Sequence, residues 1–227
     1  MYSIKATDKN IRQIVKEGIE RYGPNSDLNY IDTSAVTDMS FLFNNISFNG
    51  DISLWDTHKV EDMYYMFEHS IFNNDISKWD VSNVIDVYGM FNFSKFNGDI
   101  SDWDTHNVIF MSYMFSGSVF NGDISDWDTH NVRYMSCMFC CGMFNQDICE
   151  WDVSNVQSMY CMFYKSNFNK DLNKWSLNND VYLSNILDNK IYDQEITWNV
   201  DIEDLFGDEY NNYLERRRLK VLEDLCV

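Results

Sequence analysis

Phe48 to Phe67 reads FNGDISLWDTHKVEDMYYMF, and the same frame returns every 24 residues without a slip. Phe48, Phe72, Phe96, Phe120, Phe144 and Phe168 form one column, and Trp55, Trp79, Trp103, Trp127, Trp151 and Trp175 form a second. Asp51, Asp75, Asp99, Asp123, Asp147 and Asp171 keep the same phase, as do Val60, Val84, Val108, Val132 and Val156. Phe43, Phe67, Phe91, Phe115, Phe139 and Phe163 complete the set. The unit is F-N-x-D-I-S-x-W-D-(T/V)-(H/S)-(N/K)-V-x-x-M-x-x-M-F followed by four looser residues. A fixed period of this length is the signature of stacked rungs, each covering the apolar face of its neighbour.

The register extends upstream in weakened form through Asp27, Leu28, Ile31, Asp32, Thr33, Val36, Met39, Leu42 and Phe43, which adds a degenerate first rung at residues 24–47. Downstream, Ser176 replaces the Asp that follows the Trp, Tyr192 still falls on the Phe column, and Trp198 arrives one residue early. The expectation is a solenoid of seven rungs over residues 24–191, with an N-terminal helical cap over 1–23 and a C-terminal cap with a helix over 192–227.

Within a rung, Val60, Met63, Met66 and Phe67 follow spacings of three, three and one, which predicts one to two helical turns with one apolar face. Asp56 and Thr57 precede them as candidate caps. The stretch 51–55 reads as a short parallel strand or extended segment. The column Leu54, Lys78, Asp102, Asp126, Glu150 and Lys174 varies freely and reads as solvent-facing. Asn49, Asn73, Asn97, Asn121, Asn145 and Asn169 follow the core Phe, where an amide is costly unless bonded; an inward ladder bonding backbone groups is expected. Gly50, Gly98 and Gly122 beside them fit a tight turn.

The formal charge is −19, from 17 Lys plus Arg against 36 Asp plus Glu. A field of that sign argues against nucleic acid and anionic membrane as partners. Arg216, Arg217, Arg218 and Lys220 form the one basic cluster and read as a solvated helix face. No apolar stretch reaches membrane-spanning length, and MYSIKATDKN is not a signal sequence. Cys137, Cys140, Cys141, Cys149, Cys161 and Cys226 are too unevenly placed for a disulfide framework. Free thiols in a reducing compartment are expected, with Cys137 and Cys161 the pair to check. Pro24, the only proline, sits where the first helix hands over to the first rung.

For that helix, Thr7 or Asp8 is the candidate cap, Ile11, Ile14, Val15 and Ile19 the apolar face, and Gly23 the end. Leu214, Val221, Leu222 and Leu225 give a second helical stripe over 209–225, whose expected task is to shield the last rung of a monomer.

The unit resembles the repeat of the BspA-like leucine-rich-repeat surface protein family, the domain-of-unknown-function repeat of mycoplasma lipoproteins also found in large DNA viruses and protists. The resemblance covers residues 27–190. It is carried most closely by FNNDISKWDVSNV from Phe72 to Val84 and FNQDICEWDVSNV from Phe144 to Val156, while several copies read DTHN or DTHK instead. It implies a leucine-rich-repeat-like stack, each rung a short strand segment plus a short helix, and no chemistry. Many members of that family are surface adhesins. With no leader and no lipobox-like cysteine near the start, an intracellular setting is expected here, including the host cell of a large DNA virus.

Three constellations invite chemistry. The Asp51 to Asp171 column and the Asp32, Asp56, Asp80, Asp104, Asp128, Asp152 column either cap backbone N–H groups or share cations. Capping is the reading adopted, and Asp99, Asp123, Asp104 and Asp128 are weak calcium candidates. His58, His106 and His130 share a column in which Ser82 and Ser154 also occur, so the fold does not need histidine there. The Ser, His and Asp of DISxWDTH recur along the chain and do not make one preorganised triad. No cofactor is expected. The functional expectation is a non-enzymatic protein-interaction or adhesion-type scaffold with an unknown protein partner. Its candidate surface joins the variable column to the exposed residues of the second turn, such as Tyr64, Tyr88 and Tyr113, with His106 and His130. A self-associating structural protein and a calcium- or glycan-binding module are the alternatives.

Overall fold

The computed structural model describes residues 3–225. Regular elements lie at the two ends. Strand β1 (Ile4–Lys5) pairs in parallel with β2 (Ile31–Asp32), Ile4 opposite Ile31, and helix α1 (Ile11–Tyr22) lies between them in the chain. Helix α2 (Ile202–Phe206), a single 3-10 turn (Gly207–Glu209) and helix α3 (Tyr210–Leu225) follow at the far end. Among the described residues between Asp32 and Ile202 the chain runs in turns, joined by single parallel bridges such as Asp38 with Asp62, Asp62 with Asp86 and Asp86 with Phe110.

This element content overturns the expected solenoid, a leucine-rich-repeat-like stack in which every rung pairs a strand with a short helix. Stretch 51–55 contributes one bridging residue, Asp51, rather than a strand. Stretch 60–67 is a run of turns rather than a helix.

Backbone hydrogen bonding explains why. The N–H groups of Met63, Tyr65, Phe67 and His69 donate to the carbonyls of Asp86, Tyr88, Met90 and Asn92 in the next unit, each at 2.9 Å. The intervening N–H groups of Met66, Glu68 and Ser70 donate three residues back, to Met63, Tyr65 and Phe67, at 3.1 to 3.3 Å. A helix would send all of them four residues back. Tyr65 and His69 take φ of 50° and 51° to permit the alternation, and the same two positions are left-handed in every following unit through Cys161 and Lys165. Turns of three residues reproduce the apolar spacing of a helix, so the two are alike in periodicity.

The 24-residue spacing places like on like. Phe48, Phe72, Phe96, Phe120, Phe144 and Phe168 are buried, with successive ring centroids 6.2 to 6.3 Å apart and nearly parallel. Phe43, Phe67, Phe91, Phe115, Phe139 and Phe163 stack at 5.3 to 5.9 Å. Trp55, Trp79, Trp103, Trp127, Trp151 and Trp175 are buried too, and each indole N–H donates to a carbonyl 27 residues earlier at 2.9 to 3.1 Å, Trp127 to Ile100 for example. The donor that makes Trp expensive to bury is thereby satisfied in each of these copies.

The Asn column differs from its inward expectation. Asn73, Asn97 and Asn121 are exposed and Asn49, Asn145 and Asn169 half-buried. Each side-chain oxygen of Asn49, Asn73, Asn97, Asn121 and Asn145 accepts the backbone N–H of the next Asn at 2.7 to 2.8 Å, and Asn169 receives Asp193 at 3.1 Å. The ladder edges the core rather than entering it. Gly50 is required by close approach: a Cβ there would lie 2.0 Å from the Ser26 carbonyl.

The ends are closed by groups matched in polarity to the backbone they meet. In the interior, the N–H groups of Glu61 and Asp62 donate to the Thr37 carbonyl; those of Thr37 and Asp38 have no such unit before them and donate instead to the Asp8 carboxylate, at 2.7 and 3.1 Å. Asp8 therefore serves the first unit rather than α1, which starts after Asn10. The Ser40 carbonyl, outward-facing in the same unit, receives the Arg12 guanidinium. Gly18, inside α1, lets Leu28 and Tyr30 approach to within 3 Å of where a Cβ would sit.

At the other end, the N–H groups of Asn185 and Leu187 donate to the carbonyls of Asp204 and Leu205 in α2. Arg216 donates to the carbonyls of Tyr192 and Asn189, and Arg217 to that of Asp193. Arg216 and Arg217 are thus bonded to backbone, and Lys220 to the Asp193 carboxylate, rather than forming a solvated face. Tyr213 and Phe206, stacked at 3.9 Å, are buried there, while Leu214 is exposed. The side chains of Arg218, Val221, Leu222 and Leu225 lie outside the described residues.

Candidate interaction surface

The turn segments that bring Met63, Met66 and Phe67 inward leave Tyr64 and Tyr65 half-buried on the outer side, ring centroids 4.5 Å apart and nearly perpendicular. Tyr64 stacks on Tyr88 at 5.1 Å, and Tyr88 meets Tyr65 at 5.3 Å and Tyr113 at 5.4 Å. Phe41, 48% exposed, joins at 5.2 Å from Tyr64 and 5.8 Å from Tyr65. Five rings on four consecutive units form one contiguous strip. Phe110 with Tyr134, and Tyr160 with Tyr182, are further stacked pairs on later copies of the same segment. Tyr64, Tyr88 and Tyr113 were singled out from sequence; Phe41 and Tyr65 were not. Their signal was available, since Phe41, Tyr65 and Tyr113 share one 24-residue column.

Carboxylates border the strip. Asp38, Asp62 and Asp86 are successive members of one bridged column, accepting the N–H groups of Ser40, Tyr64 and Tyr88 at 2.8 Å each. Burial raises the pKa of Asp62 and Asp86 against the lowering effect of those bonds. Burial likewise pushes the Tyr65 and Tyr64 phenols up, helped by Tyr88. Glu68 is held by the side-chain amides of Asn44 and Asn92 at 2.6 and 2.9 Å.

The histidines pair within their own turns. Nδ1 of His58, His106 and His130 lies 2.6 to 2.7 Å from the carboxylates of Asp56, Asp104 and Asp128, and Nε2 of His106 lies 2.8 Å from the Asn107 amide. These imidazoles sit apart from the tyrosine strip in the unit, in the turn that follows the Trp.

The Asp columns cap local backbone. Asp99 accepts the Ser101 N–H and hydroxyl, and Asp123 the Ser125 N–H. Those N–H bonds hold both carboxyls below the usual range. In Asp128 burial raises the pKa, but the bonds from His130 outweigh it. No grouping of three or more His, Cys, Asp or Glu side chains suited to a metal occurs among the described residues.

Cys137, Cys140, Cys141, Cys149 and Cys161 are free thiols, with Cys137 and Cys161 buried and not joined in a disulfide. Hydrogen bonding from the Cys140 thiol, with lesser help from Tyr113 and Cys161, holds the Cys137 thiol below its ordinary range, while Cys140 is pushed up by the same contact. Cys226 lies outside the described residues. No helix among the described residues is long and apolar enough to cross a membrane.

These side chains build a surface of aromatic rings bordered by carboxylates. The chain belongs to the family described as "Mycoplasma protein of unknown function, DUF285", whose model matches residues 11–119 and again 92–199. That corrects the resemblance to BspA-like leucine-rich-repeat proteins: the family matched is this one, and the turns and terminal helices described above are not a leucine-rich-repeat solenoid stack. No curated protein and no solved structure matches the chain.

Proposed function

We propose that the protein is a non-enzymatic binding scaffold whose protein partner docks on the strip formed by Phe41, Tyr64, Tyr65, Tyr88 and Tyr113. The observation that carries this reading is the contact of five partly exposed rings across successive units. Large, rigid aromatic side chains lose little entropy on docking and are common anchors of protein interfaces. Each is already held by its neighbours, so little ordering is left to oppose binding.

The test is affinity capture from the native cell with the unaltered protein, with Tyr64→Ala/Tyr88→Ala, and with Lys78→Ala/Asp102→Ala on the variable column. Loss of the captured protein in the tyrosine variant alone supports the reading. Equal capture by all three overturns it.

A further inference from the structure

We infer that the docking segment of the partner is an arginine-rich peptide, its guanidinium groups seated between the Asp62 and Asp86 carboxylates and the rings of Tyr64, Tyr65 and Tyr88. This rests on the reading of the strip as a binding surface and names what that surface selects.

The first argument is charge. Residues 61–69 and 85–93, which carry Tyr64, Tyr65 and Tyr88, hold Glu61, Asp62, Glu68 and Asp86 and no Lys or Arg. The carboxylates of Asp62 and Asp86 are half-buried beside the rings, each accepting one neighbouring tyrosine N–H, and burial disfavours the charged form of both, offset in part by the nearby Arg12 at Asp62 and by no cation at Asp86.

The second argument is an internal precedent. Asp38 is the preceding member of the same bridged column, and the Arg12 guanidinium already lies 3.5 Å from it while donating to the Ser40 hydroxyl at 2.9 Å. One position of the column thus accommodates a guanidinium from α1. At the two following positions Ser40 is replaced by Tyr64 and Tyr88, whose ring faces attract a cation and stack on the planar guanidinium. The overall charge of −19 steers such a partner toward the protein from a distance.

The experiment titrates the intact protein with a peptide of alternating arginine and glycine at about 150 mM salt, where long-range attraction is screened. Asp62→Asn/Asp86→Asn keeps an oxygen to accept the tyrosine N–H groups while removing both charges. Asp102→Asn/Asp126→Asn removes two charges from the exposed variable column. Tyr64→Leu/Tyr88→Leu keeps apolar bulk and removes the rings.

The expected result is a loss of at least about tenfold in affinity for the first variant, a smaller loss for the third, and a change within about twofold for the second. Equal weakening in both aspartate variants reduces the binding to general attraction and overturns the inference. So does equal affinity for an uncharged peptide of the same length, or no binding at all. If the peptide fails while capture from cells still depends on Tyr64 and Tyr88, the cationic partner falls and the scaffold stands. If the tyrosine variants change neither measurement, both fall.

Discussion

Replacing Trp127 and Trp198 with phenylalanine should have different consequences for stability, although each indole stacks on a tryptophan of the preceding unit. Trp127 is 3% exposed, and its indole N–H donates to the Ile100 carbonyl at 3.0 Å. That carbonyl also receives the Trp103 N–H at 3.2 Å, so it keeps one partner when the indole is removed. The loss is then one hydrogen bond, about 1 kcal/mol, plus the smaller ring and the space it leaves, about 1–2 kcal/mol.

Trp198 stacks on Trp175 at 6.1 Å, nearly parallel. It stands 23 rather than 24 residues beyond Trp175, and its indole nitrogen is buried without a hydrogen-bond partner among the described residues. Removing a buried, unpartnered donor recovers about 1–3 kcal/mol, which offsets the loss of a partly buried ring. Trp127→Phe should therefore lower stability by about 2–3 kcal/mol, a fall in Tm of roughly 5–10 °C for a chain of this size, and Trp198→Phe should leave Tm unchanged or raise it. Thermal unfolding followed by far-ultraviolet circular dichroism measures both without relying on tryptophan emission. Equal destabilisation by the two substitutions would refute the claim that the N–H bond to the preceding unit, and not the stacking alone, holds the column.

Asp8→Ala should cost about 1 kcal/mol, because the Thr37 and Asp38 N–H groups lose their acceptor, and Asp8→Asn less, since it retains one. Burial raises the pKa of Asp8, but the bonds from Thr37 and Asp38 and the nearby Arg12 bring it below the ordinary carboxylate value. Its contribution is present above the unfolded carboxyl pKa and is lost as pH falls through the folded one, so denaturant titrations of Asp8→Ala and the unaltered protein should converge in acid. Asp62 and Asp86 carry the opposite sign. Their folded pKa values are raised, chiefly by burial, so stability declines as pH rises from the unfolded value through the folded one. Asp62→Asn/Asp86→Asn should then melt higher than the unaltered protein at pH 7, with the gap closing below about pH 3. Brief alkylation by iodoacetamide under native conditions should label exposed Cys141 ahead of buried Cys137 and Cys161 when followed by mass spectrometry. Faster labelling of Cys137 would mean that its lowered pKa outweighs its burial.

Much of the candidate surface was legible because it obeys the same period as the core. Tyr64 and Tyr88 lie one unit apart in the sequence and touch in space. Phe41 and Tyr65 escaped notice because their column is chemically mixed, passing through Gly89, Tyr113 and Cys137. What unites that column is a positive φ, which leaves no mark in side-chain chemistry when the residue is not glycine. The helix expected over Val60 to Phe67 failed for a related reason: apolar spacing records which side chains turn inward, not where each N–H finds its acceptor. The N–H groups of Met63, Tyr65 and Phe67 cross to the next unit and those of Glu61 and Asp62 to the preceding one, and nothing in a single copy of the unit announces it.

The amino-acid sequence by itself determined the 24-residue period and the identity of the side chains that recur in each column, since aromatic and aliphatic groups at fixed spacing leave the chain few other ways to bury them. Tertiary structure alone decided that the units are built of turns, that Asp8, Arg12, Arg216 and Arg217 close the ends, and that the Asn ladder borders the core. Those outcomes depend on backbone groups left over after neighbouring units have paired, and such a remainder exists only once the units have met in space.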